Sequence, residues 1–181
     1  MKKAKAAAVI LAAGCLLWGC KESGSPFPPD RSLIYVSGDG EIFGAQVETY
    51  DASLDYFSQE ELEAMAKQEA DAYNQTRRDE GLPEDETAAS VEECSLSDGT
   101  ARVVYRYRDG SELCRFTEEY QDTANHPDYF ELTKTDQGWE IRVSGTVTVQ
   151  TEGKILTCTG GNLTDAYTAE VSGGDAYLLF K

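Results

Sequence analysis

Val91–Thr117 reads VEECSLSDGTARVVYRYRDGSELCRFT. It holds two Asp-Gly pairs, Asp98-Gly99 and Asp109-Gly110, each between runs in which apolar and polar residues alternate. Asp-Gly is a favoured occupant of the two-residue type I′ hairpin turn, which needs positive φ at both central positions. Two such turns predict a meander of three strands, Val91–Ser97, Thr100–Arg108 and Ser111–Thr117. The register can be tested internally. Leu96 would face Ala101, Cys94 would face Val103, and Val103 would face Phe116 on the far side. Cys94, Leu96, Ala101, Val103, Tyr105, Cys114 and Phe116 then share one face, so turn chemistry and apolar pattern agree independently.

Upstream lies the best-marked helix. Ser58 and Glu61 form a capping box, Phe57 and Leu62 occupy staple positions, and Glu60 and Glu61 complement the positive end. Leu62, Met65, Ala66, Ala72 or Tyr73, and Thr76 recur at helical spacing, and Glu63 pairs with Lys67 on the outer face. Arg77 and Arg78 suit the negative end, Gly81 suits the C-cap, and Pro83 blocks continuation. This predicts a helix of about 20 residues, about 30 Å long.

Ser32–Ser37 and Glu41–Thr49 read as a hairpin about Gly38-Asp39-Gly40. Tyr129–Lys134 and Trp139–Gln150 read as two further strands; the second places Trp139, Ile141, Val143, Gly145, Val147 and Val149 on one side. Lys154–Thr159, Ala166–Val171 and Ala176–Phe180 complete the sheet. The expected fold is α+β, a single domain over 31–181 with one long amphipathic helix packed on a twisted antiparallel β-sheet. No internal repeat is visible.

Composition bounds function. The 181 residues include 16 basic and 33 acidic ones, a formal charge of −17. Removal of Lys2, Lys3 and Lys5 with a leader leaves 13 basic residues and takes the charge to −20. A phosphate backbone would be repelled and no basic arm compensates, which argues against nucleic acid as a partner. The chain has one histidine, so triad and zinc chemistries lack their usual parts. No cofactor motif is read, since Gly38-Asp39-Gly40 and Gly173-Gly174 read as turns and not as phosphate loops.

The first twenty residues read as an address. Met1–Lys5 carry three lysines and Ala6–Gly19 form an uncharged run, the pattern of a secretory leader over 1–19. A spanning helix wants about 20 apolar residues, and Lys21 closes this run. Leu17-Trp18-Gly19-Cys20 resembles the lipobox of bacterial lipoproteins. That resemblance implies a diacylglycerol thioether on Cys20, cleavage before it, and attachment to the outer face of the cytoplasmic membrane. Ala12-Ala13-Gly14-Cys15 is a weaker rival, with a shorter apolar run and alanine in place of leucine. Several acyl chains, at about 0.8 kcal/mol per buried CH₂, hold a protein on a bilayer. Residues 20–30 then form the lipidated cysteine and a tether, KESGSPFPPD, reaching on the order of 30 Å at about 3 Å per residue.

In order, the lipobox, SLDYFSQEELEAMAKQEADAYN, VVYRYRDG, GKILTCTGGNLTDAYTAEV and the closing DAYLLFK are similar to a group of small lipoproteins from Gram-positive anaerobes of the clostridial kind. An aromatic pair before an EEL-type helix ending in Tyr73-Asn74 is part of that likeness. The resemblance implies a lipid-anchored extracytoplasmic protein and carries over no catalytic residue.

The mature cysteines are Cys94, Cys114 and Cys158, an odd count that permits at most one internal disulfide. In the meander, Cys94 and Cys114 would stand roughly 10 Å apart across two strand spacings, beyond disulfide reach. Cys158 could bridge to either, and three free thiols are the favoured alternative. His126, before Pro127, reads as a turn residue. Arg102, Arg106 and Arg108 form a basic strip on one strand face, with Arg115 across from Val104. Cross-strand pairing with Glu93 is the favoured explanation; the alternative is a docking strip for an anionic glycan, wall polymer or acidic protein segment. Tyr105 and Tyr107 point to the other face and read as core. The expected function is a non-catalytic binding or scaffold module, a surface lipoprotein joined to the membrane through Cys20, with an envelope glycan or protein as partner. The alternative is an envelope hydrolase using paired carboxylates.

Overall fold

The structure, a computed structural model, describes residues 27–51 and 58–181. The leader, Cys20 and Phe57 lie outside the described residues. In chain order the elements are β1 (Leu33–Val36), β2 (Ile42–Thr49), α1 (Gln59–Asp79), β3 (Ala89–Ser97), β4 (Thr100–Tyr107) and α2 (Gly110–Glu119). They continue with β5 (Pro127–Thr135), β6 (Gly138–Thr151), β7 (Ile155–Thr159), β8 (Asn162–Leu163) and β9 (Thr168–Phe180).

α1 starts where its sequence says. The Glu61 backbone N–H donates to Ser58 Oγ at 3.1 Å, and the Ser58 N–H donates to Glu61 Oε2 at 3.0 Å. Its buried stripe is Leu62, Ala66, Ala70, Tyr73 and Asn74. Met65, Ala72 and Thr76 are exposed instead. The two small alanines are what let the helix backbone lie close on the sheet. Asn74 fixes the far end: its Oδ1 accepts from the N–H groups of Ala88 (2.8 Å) and Ala89 (3.1 Å), and its Nδ2 donates to the Ala89 carbonyl (2.7 Å).

The first Asp-Gly pair turns the chain as expected. Asp98 and Gly99 have φ of 52° and 76°, the left-handed pair that a type I′ turn requires, and Leu96 faces Ala101 while Cys94 faces Val103. The second pair does something else. Asp109 is extended and caps a helix, its Oδ1 accepting from the N–H groups of Ser111 (3.0 Å) and Glu112 (3.1 Å). Leu113, Phe116 and Thr117, at helical spacing, are fully buried. The expected strand 111–117 is therefore α2, and the contact of Val103 with Phe116 across a strand pair does not exist. Instead Phe116 gathers the rings of Tyr73, Tyr105, Tyr107 and Tyr120, with centroids at 5.1, 4.8, 5.4 and 4.6 Å. Burying such a ring contributes about 2–3 kcal/mol.

The sheet is also not purely antiparallel. Its nine strands run β3-β4-β2-β1-β6-β9-β7, with β5 beside β6 and β8 beside β9. β1 pairs antiparallel with β2 but parallel with β6, Ile34 opposite Val149 and Val36 opposite Thr151. The expectation of one long helix on an antiparallel sheet is corrected to an α+β fold of two helices on a mixed sheet. The physical reason is that α2 removes the third strand of the meander, and β1 then joins the two halves through the end of β6.

β9 is one strand where two were expected. Its pairing with β6 jumps from Ser144–Asp175 to Thr146–Ser172, leaving Gly145 unpaired on one strand and Gly173 and Gly174 on the other. Gly173 and Gly174 have φ of 79° and 89°, so the dipeptide read as a turn is a bulge that bends β9 without ending it.

Both helices pack on one face of the sheet, α1 against β3 and α2 against β5 and β2–β4, and their buried residues join one core cluster with Ile34, Ile42, Val103, Tyr105, Val143, Val149 and Leu178. The opposite face carries a smaller cluster of Leu33, Tyr35, Phe43, Ala45 and Val104. Phe27 lies on it, 5.1 Å from the Tyr35 ring and 5.0 Å from that of Phe43, and Pro29 is buried. The last residues of the stretch read as tether are thus packed on the domain. Cys94, Cys114 and Cys158 are free thiols.

Candidate functional site

The basic strip lies partly as expected and is occupied by carboxylates. Arg102 meets Glu93 at 3.4 Å, the cross-strand pair anticipated from sequence. Arg106 meets Glu41 at 3.2 Å and Glu92 at 3.9 Å. Arg108 follows the end of β4 and meets Glu86 at 2.7 Å, Asp109 at 3.1 Å and Glu112 at 3.3 Å. Arg115 is on α2, not across from Val104, and meets Glu80 at 3.0 Å. A docking anion would have to displace these carboxylates. Tyr105 and Tyr107 are core residues of the helix-covered face.

Among the described residues Glu112 is the most enclosed carboxylate, with no exposed surface. Tyr73 Oη donates to its Oε2 at 2.7 Å, Arg77 Nε donates to the same oxygen at 2.9 Å, and Arg77 Nη2 donates to Oε1 at 3.0 Å. Arg108 Nη2 donates to Oε1 at 3.3 Å. Burial alone would raise its pKa, but the hydrogen bonds from Arg77 and Tyr73 outweigh it and hold the carboxyl below the usual range. A glycosidase acid must be kept protonated at neutral pH; Glu112 is held ionised. It ties α1, α2 and the end of β4 together. His126 Nδ1 lies 3.2 Å from Thr117 Oγ1 in the loop after α2.

The arrangement that fits ligand chemistry is on the face away from the helices, over β5, β6, β9 and β7. Ile141 pairs with Leu178 and Val143 with Ala176, and all four side chains belong to the core. Strand alternation therefore turns their neighbours outward. Arg142 stands between Glu131 of β5 and Tyr177 of β9, and Ser144 between Tyr129 and Asp175. Tyr129 is 50% exposed, and Glu131, Arg142, Thr159 and Asp175 are exposed as well. Tyr129, Arg142, Thr159, Asp175 and Tyr177 line a groove of about 490 Å³, within the usual size of a small-ligand site.

Among the described residues Arg142 makes no ion pair, in contrast to Arg102, Arg106 and Arg108. Tyr129 Oη donates to Glu131 Oε2 at 2.9 Å. That bond, then partial desolvation, raises the Tyr129 hydroxyl pKa; desolvation first, then Glu140, raises that of Tyr177. Both phenols are neutral donors at physiological pH. The groove thus offers two aromatic faces, one guanidinium, hydroxyls and a carboxylate. Sequence reasoning missed Arg142 and Tyr177. Each sits at an outward position of an alternating strand, but nothing local in the sequence makes them neighbours.

Cys20 lies outside the described residues, and among those described no helix is long and apolar enough to cross a membrane. No known family model matches the chain, and no curated protein or solved structure matches it either.

Proposed function

We propose that the chain is a non-catalytic binding module, held on the outer face of the cytoplasmic membrane by lipid on Cys20. It presents the open face of β5, β6 and β9 to a component of the envelope. The anchor rests on the lysine-led leader and Leu17-Trp18-Gly19-Cys20. The observation that carries the binding role is Arg142, an exposed arginine without an ion pair among the described residues, beside Tyr177 and diagonal to Tyr129 on an open sheet face. Exposed guanidinium and aromatic groups grouped in one groove are the side chains that dominate binding energies at interfaces. Among the described residues the helix-covered face, filled by core residues, leaves no comparable aromatic surface to solvent.

The test is capture. The full chain, immobilised in detergent and exposed to envelope extract, should retain a partner that Arg142→Glu loses by at least about tenfold. Arg106→Glu should retain it. Loss with Arg106→Glu and retention with Arg142→Glu would return the role to the basic strip.

A further inference from the structure

Given the reading of this groove as the binding surface, its chemistry also selects a ligand class. Three carboxylates surround the one guanidinium on the open face: Glu131, Glu140 and Asp175. A polyanion would meet three like charges for each opposite one, on a chain whose formal charge is −17; charge repulsion of this kind excludes partners. A polycation would be drawn to the three carboxylates but would press a like charge on Arg142, the groove's guanidinium, at their centre. An uncharged polyol conflicts with neither.

The hydrogen-bonding inventory agrees. A carboxylate only accepts, a guanidinium only donates, and a phenol or threonine hydroxyl does both. An alcohol hydroxyl also does both, so neighbouring hydroxyls on one ring can use Asp175, Arg142 and Thr159 together. The aromatic groups supply the rest. Tyr129 on β5 faces Ser144 and Tyr177 on β9 faces Arg142, so the two lie diagonally across β6, two residues apart along it, roughly 12 Å from each other, a span close to that of two adjacent sugar rings. Aromatic faces that keep a hydroxyl at their tip favour ligands with one apolar and one wet side.

We propose that the ligand of this groove is an uncharged polysaccharide, gripped over two sugar rings by Tyr129 and Tyr177 with Arg142 and Asp175 bonding the hydroxyls between them.

The test uses the full lipidated chain in a zwitterionic detergent without sugar headgroups. It is titrated with neutral gluco- and N-acetylglucosamine hexasaccharides and with a hexauronate of the same length. The neutral oligomers should bind, with an affinity nearly independent of salt. Tyr129→Ala, Tyr177→Ala and Arg142→Ala should each weaken binding about tenfold, with Arg106→Ala unchanged. Binding of the hexauronate in place of the neutral oligomers, or of no saccharide, overturns the ligand class. If envelope capture nevertheless depends on Arg142, the binding face stands and only the ligand is wrong. If neutral oligomers bind but ignore all three substitutions, the face is wrong.

Discussion

The Tyr73 hydroxyl donates a 2.7 Å hydrogen bond to the Glu112 carboxylate across the interface of the two helices. With the bidentate Arg77, it makes Glu112 the joint at which α1 is fastened to α2. Glu112→Ala leaves the Arg77 guanidinium without its buried partner and should cost about 3–5 kcal/mol. Tyr73→Phe removes one charge-assisted bond and should cost about 1.5–3 kcal/mol. Urea unfolding followed by circular dichroism measures both.

The same joint sets the acid response. The folded Glu112 pKa lies below its ordinary 4.5, so the unfolded chain takes up its proton first as pH falls. Its stabilising contribution is complete above the ordinary value and is lost as pH drops through the folded one. Wild type should therefore lose stability more steeply below about pH 4.5 than Glu112→Gln, when midpoints are compared across a pH series.

Tyr107 gives the opposite sign. Among the described residues its buried hydroxyl has no hydrogen-bond partner, and burial first, then Asp122, raises its pKa well above 10.0. A raised folded pKa leaves stability intact below the ordinary value and erodes it as pH rises beyond. Tyr107→Phe, which removes an unsatisfied buried group, should be neutral or stabilising by about 1 kcal/mol. It should also make the alkaline limb above about pH 10 shallower than in wild type. A loss of 2 kcal/mol or more (about a 30-fold change in the equilibrium) would show that the hydroxyl has a partner.

How much of this was legible can be seen at the two Asp-Gly pairs. Asp98-Gly99 turns because the flanking residues can pair, and sequence shows that. Asp109-Gly110 carries a second signal, Asp109 followed three positions later by Glu112, the mark of a helix start. Leu113, Phe116 and Thr117 also fit a helical period. Seven residues of alternation matched a strand as well, and only the aromatic cluster around Phe116 decides between the two. The parallel pairing of β1 with β6 joins segments more than a hundred residues apart and leaves no local trace. The groove was hidden for the same reason, because Arg142 and Tyr177 are neighbours by register alone. Arg102, Arg106 and Arg108 stood out by spacing, but spacing does not reveal the glutamates that meet them.

The anchor has its own test. Cys20→Ser should move the protein from the membrane fraction to the soluble or secreted fraction and abolish incorporation of an alkyne-tagged fatty acid. Cys15→Ser should leave both unchanged. The reverse pattern would assign the lipid to Cys15, and labelling of neither would remove the lipoprotein reading.

The open sheet face, and not the arginine strip, is the surface proposed to meet the partner. Photo-crosslinking residues placed at Tyr177 and, separately, at Arg106 of the membrane-anchored chain test it in the cell. A reproducible envelope adduct is expected from position 177 and none from 106; an adduct from 106 with none from 177 would assign the partner to the arginine strip instead.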